Sequence, residues 1–300
     1  MASIRELRSR IKSVGSIRQI TRAMEMVATT KLRRFQERAV ASRPYAQEVT
    51  GMVARLAAML GDDVGDRMLF QRGAGERTLI LLVTSDRGLC GAYNSNVFKT
   101  LELWLRDHPG RAVDYYVYGR KGYQYLTRRG REVERFLVEP ALELTDYRAA
   151  ARVARLLVEA FASRKYGEVL VLYTSFETVV RYVPRTIQLL PVEAAALQTT
   201  SAKGATSAAP GARASTDLLL EPDANTIFDR LVPRYLETRV YNALLESLTS
   251  EYASRRVSMK NATDAAKTMQ GALKRVYNRK RQENITKELL DIVGGAEAVR

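Results

Sequence analysis

The sequence contains one cysteine, Cys90, and one histidine, His108, among its 300 residues. A single cysteine excludes a disulfide bond within the chain and is typical of a reducing cytoplasm. The same scarcity excludes a zinc site built from cysteine and histidine ligands. Cys90 also lacks a nearby histidine base, because a whole predicted helix separates it from His108. We therefore expect Cys90 to be a small buried hydrophobe.

Long apolar segments and phosphate-binding motifs are missing as well. No apolar run approaches the roughly 18 residues of a membrane-spanning helix, and the N-terminus lacks the apolar core of a signal peptide. Neither G-x-G-x-x-G nor G-x-x-x-x-G-K-[ST] occurs, so Gly88-Leu89-Cys90-Gly91 is predicted to be a structural turn and not a nucleotide site. The carboxylates are scattered and form no defensible acid/base pair. We expect a protein that is not an enzyme and uses no cofactor or metal.

Positive charge is concentrated at the two ends of the chain. Residues 1–43 carry a net charge of +8 and residues 230–300 carry +6, whereas the middle carries +1 of the total of +15. This distribution implies an acidic partner. The basic clusters are Arg33-Arg34, Arg255-Arg256, Lys274-Arg275 and residues 279–281. Three interpretations are open: a nucleic-acid surface, a solvated face, or a surface enclosed by acidic protein. Aromatic residues are not interleaved for base stacking, which disfavours nucleic acid.

The C-terminal stretch is almost free of helix breakers. Between Arg234 and Val293 there is no proline, and the only glycine is Gly271. Strong helix formers fill this stretch, and one helix of that length would reach about 90 Å. Apolar residues at steps of 4, 3, 4 and 3 predict a coiled-coil seam. The predicted seam residues are Ala262, Ala266, Met269, Leu273 and Val276.

Beyond Val276 the seam pattern breaks, since the next positions are Lys280 and Glu283. Apolar residues return out of phase at Ile285, Leu289 and Ile292. We expect the partner helix to end here and the last twenty residues to continue alone, with an apolar face that another protein covers.

The first sixty residues predict the partner helix. Ser3 and Glu6 have the spacing of a capping box at its start. The predicted seam has a mean step below 3.5, which favours a left-handed wrap. Its residues are Ile4, Leu7, Ile11, Val14, Ile17, Ile20, Met24 and Val27. Pro44 is expected to kink or interrupt the helix near Ser42 and Arg43.

Residues 76–193 alternate predicted strands and helices, which indicates a mostly parallel α/β sheet. Strands are predicted at 78–84, 113–118, 168–174 and 179–190, the last two pairing with each other. Helices are predicted from Ser95 or Asn96 to His108 and over 119–129 and 144–163. Residues 199–216 consist mostly of Ser, Thr, Ala and Gly and are predicted to form a flexible insertion. The predicted domains are thus 1–60, 76–193, 199–216 and 217–300.

Four sequence blocks together resemble the gamma subunit of F-type ATP synthase of the bacterial type. They are IRELRSRIKSVGSIRQITRAMEMVATTKLRR at 4–34, TSDRGLCGAYN at 84–94, RRVSMKNATDAA at 255–266 and ITKELLDIVGGAEA at 285–298. The resemblance covers essentially the whole chain. It implies an α/β fold in which the N- and C-terminal helices form a long antiparallel two-helix coiled coil beside a central Rossmann-like α/β domain. Redox-regulated members carry a cysteine pair that is absent here.

By resemblance, the chain is the rotor shaft that couples proton flow through the membrane to ATP synthesis on the beta subunits. The implied partners are the alpha and beta subunits, the epsilon subunit and the ring of c subunits, and nucleic acid is not expected. The implied location is the cytoplasmic face of the bacterial inner membrane, which the chain reaches through its partners. The alternatives are a basic nucleic-acid-binding coiled coil and an α/β enzyme with a dimerising coiled coil.

The same resemblance implies three groups of contact residues. Expected contacts between rotor and stator are Met24, Arg33, Arg34, Arg255, Arg281, Gln282, Thr286 and Glu288. The expected C-terminal bearing comprises Ile285, Leu289 and Ile292. Leu218 and Glu221 are candidates for a foot that faces the ring. Each of these residues also has a plain interpretation as part of a helix surface, and Met24 fits the predicted seam.

Overall fold

The computed structural model describes residues 3–193, 221 and 223–297. The predicted insertion at 199–216 and the candidate foot residue Leu218 lie outside the described residues. The chain divides into two compact units, Met1–Thr30 with Arg255–Arg300 and Lys31–Ser254. The predicted domain boundaries stay a prediction, and each unit is described by itself below.

Helices and strands alternate through the middle of the chain. The helices are α1 Ile4–Leu60, α2 Tyr93–Asp107, α3 Arg120–Arg128, α4 Tyr147–Ala162 and α5 Ala224–Glu297. The strands are β1 Arg77–Val83, β2 Val113–Tyr118, β3 Arg135–Leu137, β4 Tyr166–Phe176 and β5 Tyr182–Leu190. Short 3-10 helices occupy Gly61–Val64 and Leu142–Leu144.

The five strands form one sheet in the order β3-β2-β1-β4-β5. β1 runs parallel to β2 and β4, β3 runs parallel to β2, and β5 is antiparallel to β4. This topology confirms the predicted mostly parallel α/β sheet and the predicted pairing of its last two strands, which is antiparallel. β3 was not predicted, because three residues are too few to show a periodicity.

The core of the second unit is built on β1, whose residues Leu79 to Val83 are fully buried. Alternate residues of a strand point to opposite faces of a sheet. On one face, Ile80 and Leu82 pack with Val97 and Leu101 of α2 and with Leu126 of α3. Because both faces of β1 are covered, its sequence is continuously apolar and does not alternate.

The first residues of two helices in this unit show where a sequence cue identifies the start of a helix and where it does not. Asp146 caps α4, and its side chain accepts a hydrogen bond from the backbone of Ala149 at 2.8 Å. α2 begins at Tyr93, ahead of the predicted Ser95 or Asn96, and has no side-chain cap. Asn94 bonds instead to the backbone nitrogen of Ser85, at 3.1 Å, and to its hydroxyl.

α1 continues without interruption through Pro44. The predicted interruption near Ser42 and Arg43 does not occur, and the alternative of a kink there stays a prediction. A proline inside a helix leaves the carbonyl four residues earlier without a donor. That residue is Val40, which is exposed, so water can satisfy its carbonyl. Pro233 lies inside α5 in the same way, four residues after the exposed Asp229.

In the first unit, α1 and α5 run antiparallel. The hydroxyl of Thr263 donates to the hydroxyl of Thr21 at 2.8 Å. Gly15, nearer the start of α1, faces Gln270, further along α5, and a Cβ atom on Gly15 would lie 2.9 Å from the Gln270 side-chain nitrogen. Partner numbers rise on one helix as they fall on the other, which confirms an antiparallel pair. At the start of α1, the Ser3 hydroxyl accepts from the Glu6 backbone nitrogen at 3.2 Å, half of the predicted capping box.

The predicted seam is only partly correct. One set of shielded residues on α1 steps regularly by 4 and 3: Leu7, Ile11, Val14, Arg18, Thr21 and Glu25. A matching set on α5 is Met259, Thr263, Ala266, Gln270, Leu273 and Tyr277. The predicted seam residues Ile4, Met24 and Ala262 are shielded as well, beside these sets. Predicted seam residues Ile17, Ile20 and Val27 on α1, and Met269 and Val276 on α5, are exposed. The prediction followed apolar residues, whereas the helix geometry keeps a strict heptad that also contains polar side chains.

Candidate functional surface of the coiled coil

Among the described residues, none covers the end of α5. Every residue from 281 to 293, hereafter the tip, is exposed. By the register of the Thr21–Thr263 pair, the N-terminal end of α1 lies opposite residue 280 or 281 of α5. The contact between the two helices therefore stops where the tip begins. The prediction that the partner helix ends near this point is confirmed by this geometry.

The tip carries an apolar face. Ile285, Leu289 and Ile292 lie at helical spacing and are 48%, 57% and 68% exposed. Leu290 and Val293 are exposed too. Sequence analysis did not include them, although Val293 follows Leu289 at the helical spacing of four residues. A soluble protein rarely leaves such a patch bare, so the patch indicates a binding surface.

Four predicted polar contact residues share the tip. Arg281, Gln282, Thr286 and Glu288 are all exposed. Their side chains surround the apolar face and are free to meet another molecule.

Further apolar residues on the body of the coiled coil are exposed. They are Ile17, Ile20, Met26, Val27, Met269 and Val276. Sequence analysis had assigned five of these six, all but Met26, to the seam. A strict count of heptads from Leu7 along α1 would have placed Ile17, Ile20 and Val27 outside it.

Basic residues line an open cleft near the start of α1. Arg5, Arg8, Lys12 and Arg18 surround Gly15 and Gln270 there. These four side chains place positive charge from the N-terminal end of the chain in one cleft. Acidic groups on a partner would be electrostatically complementary to this cleft.

The other predicted contact residues have different surroundings. Met24 is half-buried beside the seam. Arg33 and Arg34 are exposed in the second unit, and Arg33 pairs with Glu37 at 3.0 Å, an exposed pair that contributes little stability. Glu221 is exposed. Arg255 is only 8% exposed, which leaves it little surface for a contact with another subunit.

The loop after β1 is a turn that satisfies its own backbone. Leu89 has a φ of +64°, and Cys90 is buried as predicted. The carboxylate of Asp86 accepts from the backbone nitrogen of Arg120, the first residue of α3, at 3.1 Å. Helix N-termini are the usual place for a phosphate, and here the protein's own carboxylate fills that place. No group of His, Cys, Asp and Glu suited to a metal occurs among the described residues.

One carboxylate of the second unit joins the two long helices. Glu143 accepts from Lys31 of α1 and, at 2.7 Å, from the hydroxyl of Tyr252 of α5. Burial by itself raises the pKa of Glu143, but these hydrogen bonds outweigh burial and the pKa is lowered. The ionised form of Glu143 therefore stabilises the folded unit.

The structure defines a class of proteins in which an antiparallel pair of long helices, with an exposed apolar end, accompanies an α/β domain. A family model described as ATP synthase matches residues 3–299. An ATP synthase gamma chain of Cytophaga hutchinsonii is 38% identical over 304 residues, covering 100% of this chain and 99% of that one. One of Mycobacterium marinum is 38% identical, covering 99% and 98%. The chain belongs to the ATP synthase gamma chain family.

Solved structures agree with this family. The central stalk and c-ring structure of Tetrahymena thermophila mitochondrial ATP synthase contains a chain that is 28% identical, with a TM-score of 0.57 over 81% of this chain and 99% of that one. A rotor chain of Euglena gracilis mitochondrial ATP synthase has the same fold, with a TM-score of 0.60 over 94% and 98% at 17% identity.

The chain is thus a non-catalytic subunit of the ATP synthase central stalk, and its partners are subunits of that complex. The nucleic-acid alternative finds no support in these similarities. The complex is bound to a membrane, and the chain is a peripheral part of it. None of the described helices combines the length and apolar character needed to cross a bilayer.

Proposed function

We propose that this chain turns as a shaft inside a ring of alpha and beta subunits and so couples proton flow through a c-subunit ring to ATP synthesis on beta. The observation that carries the proposal is the bare tip of α5. A helix end that is apolar, exposed and without a partner in its own chain suits a hydrophobic bearing. Ile285, Leu289 and Ile292 would form its contact face.

The proposed contacts between rotor and stator come from the family resemblance, and the exposure and charge of most of these residues support them. Met24, Arg33, Arg34, Arg281, Gln282, Thr286 and Glu288 offer surface to catalytic subunits. Exposed Ile17, Ile20 and Val276 extend this surface along the coiled coil. The basic N-terminal cleft suits an acidic loop turned toward the shaft. We leave Arg255 out of the proposed surface because it is buried.

The lower contacts are proposed from the resemblance. Leu218 and Glu221 would belong to the foot that meets the c ring, and the epsilon subunit would bind beside the α/β domain. The chain would then lie at the cytoplasmic face of the bacterial inner membrane. Of these two residues, Glu221 lies within the described part of the chain and is exposed.

Recovery of the complex from membranes tests the proposal. A tag inserted between residues 199 and 216 is used to purify the chain from solubilised membranes, with mass spectrometry and an ATPase assay. Co-purification of alpha and beta at three copies of each per tagged chain, with ATPase activity, is the expected result. A chain recovered alone, or with nucleic acid, would refute the shaft.

A further inference from the structure

The carboxyl edge of the sheet has a feature that the shaft proposal does not use. The strand order reverses between β1 and β4, and open parallel sheets bind ligands in the crevice outside such a point. Here α5 closes that crevice within the second unit. The residues that close it are Ser247, Ser250 and Ser254, each at most 1% exposed.

These three serines bond to the backbone of the domain. The backbone nitrogen of Thr174 donates to the Ser247 hydroxyl at 3.0 Å, and the Ser250 hydroxyl donates to the Thr174 carbonyl at 3.3 Å. The Ser254 hydroxyl donates to the carbonyl of Cys90 at 2.6 Å. Both backbone groups of one β4 residue and one carbonyl of the β1–α2 loop are thereby held by a single helix face.

Other hydroxyls on α5 behave differently. Thr249 and Thr268 donate to carbonyls of their own helix, four residues earlier, at 2.7 and 3.2 Å. Such local bonds are the common choice for a hydroxyl inside a helix. The serines reach another element instead, and their positions at i, i+3 and i+7 share one face. Their small side chains let the helix approach the backbone closely.

We propose that Ser247, Ser250 and Ser254 form a serine clamp, through which the α/β domain turns α5. This inference rests on the proposed shaft function. Apolar contacts are non-directional, so they permit a helix to roll against a sheet, whereas buried hydrogen bonds have defined directions and oppose rolling. β4 is a suitable anchor because it is bonded to β1 on one side and β5 on the other.

The clamp makes these serines positioning residues for torque transfer. Ser247 and Ser250 fix α5 at β4, and Ser254 fixes it one to two turns further along, at the loop that leads into α2. Fixation at two levels along a helix opposes both rotation about its axis and tilting. The same bonds place α5 in the crevice where open α/β sheets of this topology bind ligands.

Torsional stiffness of the assembled complex tests the clamp. The alpha/beta ring is fixed to a surface, and a probe is attached to K99C on the exposed face of α2, since the native Cys90 is buried. The complex with S247A/S250A/S254A is compared with wild type. The matched control is T249V, which removes a buried hydroxyl that bonds only within α5.

The expected result is a larger angular variance of the probe in the triple variant, and wild-type variance in the control. Equal variance in all three complexes would overturn the clamp while leaving the shaft intact. Failure of wild-type chain to assemble with alpha and beta would instead overturn the shaft. If only the triple variant fails to assemble, the single variant S254A is measured in its place. A torsional stiffness of the S254A complex equal to that of the T249V complex would then overturn the proposal.

Discussion

The α/β domain and the coiled coil bury their apolar residues to very different extents. Leu79 to Val83 of β1 are fully shielded by neighbours in the same chain. On the coiled coil, Ile20, Met269 and Val276 remain exposed, and the tip has no shielded residue. The domain therefore buries its own core, whereas the coiled coil leaves apolar surface exposed, and we propose that other subunits cover it. On this proposal, the contrast separates residues that fold the chain from residues that assemble the complex.

The largest expected effect is on assembly through the tip. Replacing Ile285, Leu289 and Ile292 together by Asp should weaken assembly by about 4 kcal/mol, since each loses apolar burial in the bearing. The free energy of unfolding of the chain alone should change by less than about 0.5 kcal/mol. Retention of subunits during native electrophoresis measures the strength of assembly, and urea denaturation measures the free energy of unfolding.

The control for the tip changes polar residues of the same turns, in K287A/D291A. Assembly at the wild-type level is expected for this control. A triple Asp variant that assembles as well as wild type would show that the tip is not held by a bearing.

The second-largest effect is expected on the stability of the α/β domain, at a point where two backbone segments approach closely. A Cβ atom on Gly75 would lie 2.1 Å from the carbonyl oxygen of Lys165. Gly75→Ala should therefore destabilise the chain by about 3 kcal/mol, because backbone must move. Gly51→Ala is the control, since its Cβ would meet nothing closer than 3.9 Å. Thermal unfolding that ranks both variants equally would contradict this assignment.

The third test concerns Met24, which lies at the border of seam and surface. Met24→Lys places a charge at a proposed stator contact and should lower proton pumping per ATP hydrolysed more than it lowers assembly. Met26→Lys is the matched control, because Met26 points elsewhere and is more exposed. The loss of pumping is expected to be roughly tenfold, the equivalent of about 1.4 kcal/mol. Normal pumping by the Met24 variant would exclude it from the contact surface.

A smaller effect should follow pH in the domain. The pKa of Glu143 is lowered in the folded state, so its contribution is present above the unfolded pKa and is lost as pH falls through the folded pKa. Solvent screening limits this contribution to about 1 kcal/mol. Glu143→Gln should lower stability at pH 7 and flatten the decline in acid. The control is Glu37→Gln, an exposed partner of Arg33, which should change stability at pH 7 by less than about 0.5 kcal/mol.

The smallest effect separates the observed seam from the predicted one. Val276→Ala should change the chain's unfolding free energy by less than about 0.5 kcal/mol, because Val276 is 53% exposed. Leu7→Ala, in the observed seam, should cost about 2 kcal/mol. Similar losses in the two variants would restore the predicted seam.

Sequence patterns were most informative where one signal acted alone. The apolar run of β1, the Asp146 cap of α4 and the absence of breakers in α5 each specified an element close to its observed bounds. Sequence patterns failed where a competing interaction determined where a helix starts or whether it continues. Asn94 bonds to Ser85 instead of leaving α2 to begin at Ser95 or Asn96, and Pro44 is absorbed because the Val40 carbonyl is at the surface.

The sequence by itself determined two long helices, an α/β sheet between them, the apolar tip and, through its motifs, the family. These properties depend on local propensity, on periodicity and on residue identity. Only the tertiary structure decided which apolar residues of the coiled coil are shielded, that Arg255 is buried, and that three serines of α5 close the edge of the sheet. Those outcomes depend on the register between elements distant in sequence, which no local pattern encodes.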